Sequence, residues 1–127
     1  MTSFDLRPPT LFAVEIRTAR WDELVDWYRK ALGLKVLLRV VDDRYALLEA
    51  GAARLAILGR EAAAGESRRW SLGFEVDDLD ATQARLAAAG IATPAPLANP
   101  EGFRELVVAD PDGNRLRFFA WSHDHHR

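Results

Sequence analysis

Charged side chains alternate along three predicted strands of this 127-residue chain, and they are the residues best suited to chemistry. Glu15 and Arg17 lie on one face of one strand, Ser71 and Glu75 lie on one face of a second, and Arg117 lies in a third. Side chains two positions apart on a strand share one face of the sheet. A carboxylate withdrawn from water can exchange protons near neutral pH, and an arginine can hold an anion. These residues therefore indicate either proton transfer or the binding of a polar organic ligand.

Arg117 requires a negative partner if it lies inside a concave sheet, because a buried charge is costly unless it is paired. Glu15 and Glu75 are the first candidates for that partner. Whether Arg104 or Glu105 also takes part depends on the strand register, which the sequence does not fix. An internal ion pair and a ligand-binding arginine both remain open.

Aromatic side chains near these positions allow two interpretations. They either wall a ligand pocket, since such pockets are mostly apolar with a few polar anchors, or they fill the core of the sheet. The residues concerned are Tyr45, Trp70, Phe103, Phe119 and Trp121.

Other reactive groups are scarce. Cysteine is absent, which excludes disulfides, thiolate metal sites and cysteine nucleophiles. The serines lie in no motif that pairs a serine with a base, and there is no glycine-rich phosphate loop. All three histidines fall in the segment 122–127, which forms either a loose zinc or nickel site or a solvated tail. The tail is favoured because metal sites need neighbouring groups that orient the ligands.

Composition limits the classes of partner. Seventeen basic and 19 acidic side chains give a formal net charge of −2, so no strong positive field recruits nucleic acid or an anionic membrane surface. No apolar run approaches the roughly 20 residues that a membrane span needs. We therefore predict a cytoplasmic protein that binds neither nucleic acid nor membrane.

The first half of the chain predicts a strand, a helix and three further strands. Apolar residues recur at helical spacing between Arg20 and Leu32. Thr18 is placed to cap the start of this helix, and Gly33 is placed to end it in the left-handed conformation. The predicted strands of this half span 11–17, 35–41, 44–49 and 54–58.

The second half repeats this order. Asp77 or Asp78 caps its helix, and Gly90 ends it. The residues Ala31–Leu34 are similar in sequence to Ala88–Ile91, which indicates an internal repeat. The predicted strands of this half span 70–76, 91–97, 103–109 and 115–121. We therefore predict a single domain of two βαβββ modules, at about 10–58 and 70–121, with a linker at 59–69 and a flexible tail at 122–127.

Three segments resemble the vicinal oxygen chelate superfamily, which includes glyoxalase I, bleomycin-resistance proteins and extradiol dioxygenases. They are Trp27-Tyr28 through Leu32-Gly33-Leu34, then Phe74-Glu75-Val76-Asp77-Asp78, and finally Asp110-Pro111-Asp112-Gly113-Asn114. The resemblance implies an α+β fold, in which two tandem βαβββ modules form a concave mixed sheet with helices on its outer face. Fold alone does not imply function, because one scaffold hosts many chemistries.

The resemblance also implies four metal-ligand positions in the metal-dependent members, which use His, Glu or Gln there. In this sequence they fall at Ala13, Ser71, Ala56 and Arg117. None is a usual ligand, and arginine keeps its positive charge. The chain therefore resembles a bleomycin-resistance-like branch without the usual metal ligands, and we predict no metal and no cofactor.

The leading hypothesis is a metal-independent protein that encloses a small organic molecule, such as an antibiotic or a metabolite, in the cleft of the sheet. The resemblance implies a homodimer. We expect the ligand to contact Glu15, Tyr45, Trp70, Ser71, Glu75, Phe103 and Arg117. One alternative is a lyase, isomerase or dioxygenase that uses a metal, or Glu15 or Glu75 as a base. Another is an accessory module with a vestigial pocket.

Overall fold

A computed structural model describes residues 8–61, 69–99 and 102–121 of the chain, and it contains two βαβββ modules in succession. The elements of the first module are β1 (Val14–Thr18), α1 (Trp21–Ala31), β2 (Lys35–Val40), β3 (Tyr45–Ala50) and β4 (Ala53–Gly59). Those of the second are β5 (Ser71–Glu75), α2 (Leu79–Ala88), β6 (Leu97–Asn99), β7 (Phe103–Ala109) and β8 (Arg115–Trp121). The predicted α+β fold of tandem modules is confirmed.

Each module forms one mixed four-stranded sheet. The first strand of each module lies parallel to its last, which gives the orders β1-β4-β3-β2 and β5-β8-β7-β6. Each helix supplies residues to a core shared with its own sheet, as Leu24 does in α1 and Leu86 in α2. Leu116 and Phe118 of β8 are buried in the same core, so the alternate residues of β8 occupy the opposite face.

The helix ends confirm some predicted caps and correct another. Asp78 caps α2, because its carboxylate accepts a hydrogen bond from the Ala81 N–H at 3.0 Å. The cap predicted at Thr18 is wrong: Arg20 is the residue at the start of α1, and it has no side-chain cap. Thr18 is the buried last residue of β1, and its hydroxyl accepts from the Arg20 N–H at 2.9 Å. It therefore closes the turn before the helix.

The strand predicted at 91–97 is also wrong. Pairing with β7 covers only Leu97–Asn99. Pro94 and Pro96 lack the N–H donors that a strand ladder uses, so regular pairing begins after them. By contrast, β7 and β8 have the bounds predicted from the sequence.

Several predicted segments lie outside the described residues. Residues 62–68 of the predicted linker 59–69 are among them, and Gly59 itself belongs to β4. The predicted tail 122–127 and its histidines are also outside this range. In the described part of the chain, no helix has the length and apolar character needed to cross a bilayer.

A buried polar junction joins the two modules. The Tyr28 hydroxyl of α1 donates to Asp110 Oδ2, in the turn between β7 and β8, at 2.6 Å. Asp110 is 4% exposed and also accepts from the Asp112 N–H, the Asn114 N–H and the Asn114 side-chain amide. Arg20 binds the Asp112 carboxylate at 2.7 Å on the surface side. The turn between β7 and β8 is therefore fastened to the first module.

Burial beside Asp110 raises the pKa of Tyr28 above its ordinary value of 10.0. A group whose pKa is higher in the folded state contributes stability below its unfolded pKa, and that contribution is lost as pH rises above it. We therefore expect the free energy of unfolding of the wild type to fall more steeply above about pH 10 than that of Tyr28→Phe. Urea titrations across this range measure the difference, with Tyr45→Phe as the control. Parallel pH profiles for wild type and Tyr28→Phe would contradict the prediction.

Candidate functional site

The face of the second sheet turned away from its core, here called the cleft face, carries a concentration of polar and aromatic side chains. The register places Arg117 between Gly73 of β5 and Val107 of β7, and Phe119 between Glu75 and Glu105. The members that β5, β7 and β8 supply to the cleft face are Ser71, Gly73, Glu75, Phe103, Glu105, Val107, Ala109, Arg115, Arg117, Phe119 and Trp121.

Arg117 is the centre of this face. Its Nε donates to Glu105 Oε1 at 2.5 Å, and the two side chains are 27% and 24% exposed. Its guanidinium carbon lies 4.7 Å from the ring centroid of Phe119 and 5.1 Å from that of Phe103. Both contacts are within the range of cation–π attraction. The guanidinium is therefore held by one carboxylate and two aromatic rings.

The partner of Arg117 differs from the two first candidates, Glu15 and Glu75. Glu105 stands directly opposite Phe119, two residues from Arg117, and is thus its diagonal neighbour across the β7–β8 pair. Diagonal neighbours on one face are within reach of long side chains. The sequence left Glu105 open because the pairing register was unknown, and the structure supplies that register.

Three aromatic rings form a cluster beside Arg117. Phe103, Phe119 and Trp121 meet edge to face, with ring centroids 5.6 to 5.8 Å apart. Trp121 is 39% exposed, whereas both phenylalanines are half-buried. The cluster therefore presents partly exposed apolar surface next to a charged group.

The guanidinium borders Gly73 on the β5 side, where the strand carries no side chain. A Cβ added to Gly73 would lie 3.7 Å from Arg117 Nη1, an ordinary contact, and would meet no other atom within 4 Å beyond its chain neighbours. Among the described residues, Glu105 is the hydrogen-bond partner of the Arg117 side chain, and it accepts from Nε. The Nη edge of the guanidinium is therefore available to a bound molecule.

A groove of about 580 Å³ separates β1 from β5, at one side of the cleft face. Glu15 and Arg17 line it from β1, and Trp70, Ser71 and Arg115 line it from the second module. Trp70 is 76% exposed, so it forms a wall of the groove and is not part of the core. The groove thus joins three predicted ligand contacts, Glu15, Trp70 and Ser71.

The other predicted contacts are distributed differently. Arg117 and Phe103 lie together, as described above. Glu75 is on the cleft face but also lines a separate cavity of about 610 Å³ with Thr82 and Arg85 of α2. Tyr45 belongs to the first module, where it is half-buried between Val40 and Leu58. The seven residues therefore do not converge on one cavity within this chain.

Some residues of the cleft face were not among the predicted contacts. Arg115 and Phe119 alternate with Arg117 along one strand, and this alternation was visible in the sequence. Gly73 likewise shares its face with Ser71 and offers no side chain. Glu105 had no sequence signal beyond its charge.

The four positions implied as metal ligands do not fit a metal ion. Ala13 and Ala56 offer methyl groups, Ser71 a neutral hydroxyl, and Arg117 a permanent cation. A divalent cation requires electron-pair donors such as imidazole or carboxylate. In residues 8–61, 69–99 and 102–121, no three acidic or imidazole side chains gather in a group suited to a metal.

The chain matches a known protein family and a curated relative. The family model of the Glyoxalase/Bleomycin resistance protein/Dioxygenase superfamily matches residues 10–118. The protein named "Putative glyoxylase CFP32" of Mycobacterium bovis is 34% identical over 109 residues, which are 82% of this chain and 41% of that protein. This chain thus spans about two-fifths of the length of the curated relatives it matches.

Solved structures show the same fold at low sequence identity. Lactoylglutathione lyase from Agrobacterium tumefaciens has a TM-score of 0.71 at 19% identity, covering 90% of this chain and 95% of that one. The fosfomycin resistance protein FosX from Listeria monocytogenes has a TM-score of 0.77 at 11% identity, covering 93% and 98%. At these identities the likeness establishes the architecture alone.

Proposed function

This chain belongs to the glyoxalase/bleomycin resistance protein/dioxygenase superfamily, and from its cleft face we propose that it is a metal-independent protein that binds a small organic molecule. One observation carries the proposal. Arg117 lies at a position where the metal-dependent members are expected to place a metal ligand. It stands in a cradle of Glu105, Phe103 and Phe119, beside Gly73, which carries no side chain.

The cradle has the composition of a small-molecule site. Such sites combine apolar and aromatic surface with a few placed polar groups that orient the ligand. The rings of Phe119 and Trp121 supply flat apolar surface, and the Nη edge of Arg117 supplies donors. A flat organic molecule with a hydrogen-bond acceptor fits these surfaces.

The named relatives suggest the size of the ligand. Their names refer to a lactoylglutathione lyase and to fosfomycin resistance, so the family fold is used with small organic molecules. We propose a ligand of this class, a metabolite or an antibiotic. We also propose a homodimer, in which a second copy covers apolar side chains exposed on the outer strands, namely Leu38, Val40 and Leu97.

Metal independence is tested by binding before and after chelation. We expect a flat aromatic probe such as 2-naphthamide to shift the backbone amide signal of Gly73 in NMR spectra, and to do so with unchanged affinity after dialysis against EDTA. The physical reason is that the hydrogen-bond donors of the site belong to the Arg117 side chain and not to a bound metal ion. Elemental analysis of the same sample measures its metal content.

Two results would overturn the proposal. One is a stoichiometric metal whose removal abolishes probe binding. The other is the absence of any shift at Gly73 with flat aromatic probes, while the protein remains folded by circular dichroism.

A further inference from the structure

We propose that the ligand carries a carboxylate or a similar flat oxyanion, held by the Nη edge of Arg117 with help from Arg115. This inference rests on the proposed function and adds the chemical class of the ligand. The donors that Arg117 retains, the charges around the groove and the aromatic rings of the cradle support it.

The Arg117 guanidinium has one engaged nitrogen and one free edge. A guanidinium has five N–H donors in a rigid plane, and Glu105 engages Nε. The Nη1–Nη2 edge then points its paired donors in one direction, which matches the two oxygens of a carboxylate. Glu105 is thus a positioning residue that orients the plane while leaving this edge free.

Charged side chains line the groove beside Arg117. Arg115 lies two residues from Arg117 on the same face, and Arg17 lines the groove from β1. In the described part of the chain, neither arginine forms a hydrogen bond or ion pair with its side chain. Glu15 is the carboxylate of the groove, and Glu105 is already engaged. Among the residues that line the groove, two arginines thus stand against one carboxylate, while Glu75 of the cleft face lines the separate cavity with Arg85, so the groove attracts an anion and repels a cation.

The aromatic rings around Arg117 favour a planar anion over a cation. The rings of Phe103 and Phe119 meet the guanidinium at 5.1 and 4.7 Å, so their π surfaces already interact with a cation. A cationic ligand would have to displace Arg117 before it could make cation–π contacts with these rings. A planar anion instead binds the free edge and lays its apolar part over Gly73, where the backbone carries no side chain.

The test compares two probes of the same shape and different charge, 2-naphthoate and 2-naphthamide. Protein NMR titration, followed at the Gly73 amide, gives the affinity of each. We expect the carboxylate to bind at least about tenfold more tightly, and we expect this preference to weaken with added salt.

Variants assign the preference to Arg117. Arg117→Met should reduce the affinity for 2-naphthoate to that for 2-naphthamide, and Arg117→Lys should restore part of the preference because it returns the charge without the paired donors. Arg104→Met is the matched control: Arg104 lies in the same sheet but pairs with Asp80 of α2, at 3.6 Å, on the other face. It should leave both affinities unchanged.

The outcomes separate this inference from the proposed function. Equal affinities of the two probes at Gly73 overturn the carboxylate assignment and leave a small-molecule site in place. A carboxylate preference that survives in Arg117→Met overturns the assignment to Arg117. Absence of binding by both probes removes the site and the inference together.

Discussion

Asp110→Ala is expected to lower the free energy of unfolding by about 3–4 kcal/mol, because four buried or partly buried donors lose their acceptor together. The donors are the Tyr28 hydroxyl, the Asp112 N–H and two groups of Asn114. In a chain of this size the midpoint of thermal unfolding should fall by about 10 °C. Urea and thermal unfolding, followed by circular dichroism, measure both quantities.

A neighbouring carboxylate serves as the control. Asp112 occupies the same turn, but its ion pair with Arg20 joins side chains that are 21% and 47% exposed. Solvent screens exposed pairs so that they contribute little to stability, and Asp112→Ala should therefore cost far less than Asp110→Ala. Equal losses in the two variants would show that Asp110 acts as a turn residue and not as the acceptor that joins the modules.

Gly73→Leu is expected to abolish probe binding while the protein keeps its stability. The new side chain extends from a Cβ that lies 3.7 Å from Arg117 Nη1, so it blocks access to the guanidinium from the β5 side. We expect a loss of affinity of at least about 100-fold, which corresponds to roughly 2.7 kcal/mol. Replacing a strand glycine usually costs nothing in stability, since glycine itself disfavours a strand by about 0.5–1 kcal/mol relative to alanine.

The matched control adds the same bulk elsewhere. Ala84 lies on the exposed side of α2, so Ala84→Leu should change neither binding nor stability. NMR titration with 2-naphthoate, followed at residues of β8, measures binding in both variants. Retained binding in Gly73→Leu would place the ligand away from the cleft face.

The sequence predicted the architecture well because its signals are local and repeated. Alternation along β8, the cap at Asp78 and the left-handed Gly33 and Gly90 all depend on near neighbours in the chain. The failures are of the same local kind: Thr18 lies two residues too early to cap α1, and prolines delay the start of β6.

The site was less predictable, because its contacts join distant residues. The partner of Arg117 depends on the β7–β8 register, and the bond from Tyr28 to Asp110 spans 82 positions. No local pattern specifies such pairs. The correspondence between the two modules identified Arg117, and strand alternation placed Glu75 on its face, as the register shows. Tyr45 was grouped with them because it is aromatic, and it lies in the first module.

Native mass spectrometry of untagged protein, purified without a chelator, tests metal-independent ligand binding by a dimer, because one spectrum gives the mass of the assembly, any bound metal and any retained organic molecule. We expect a dimer without metal, together with an organic adduct of small mass that is lost in Gly73→Leu. One metal ion per chain, with no adduct that depends on Gly73, would contradict the account and would move the site of chemistry away from Arg117.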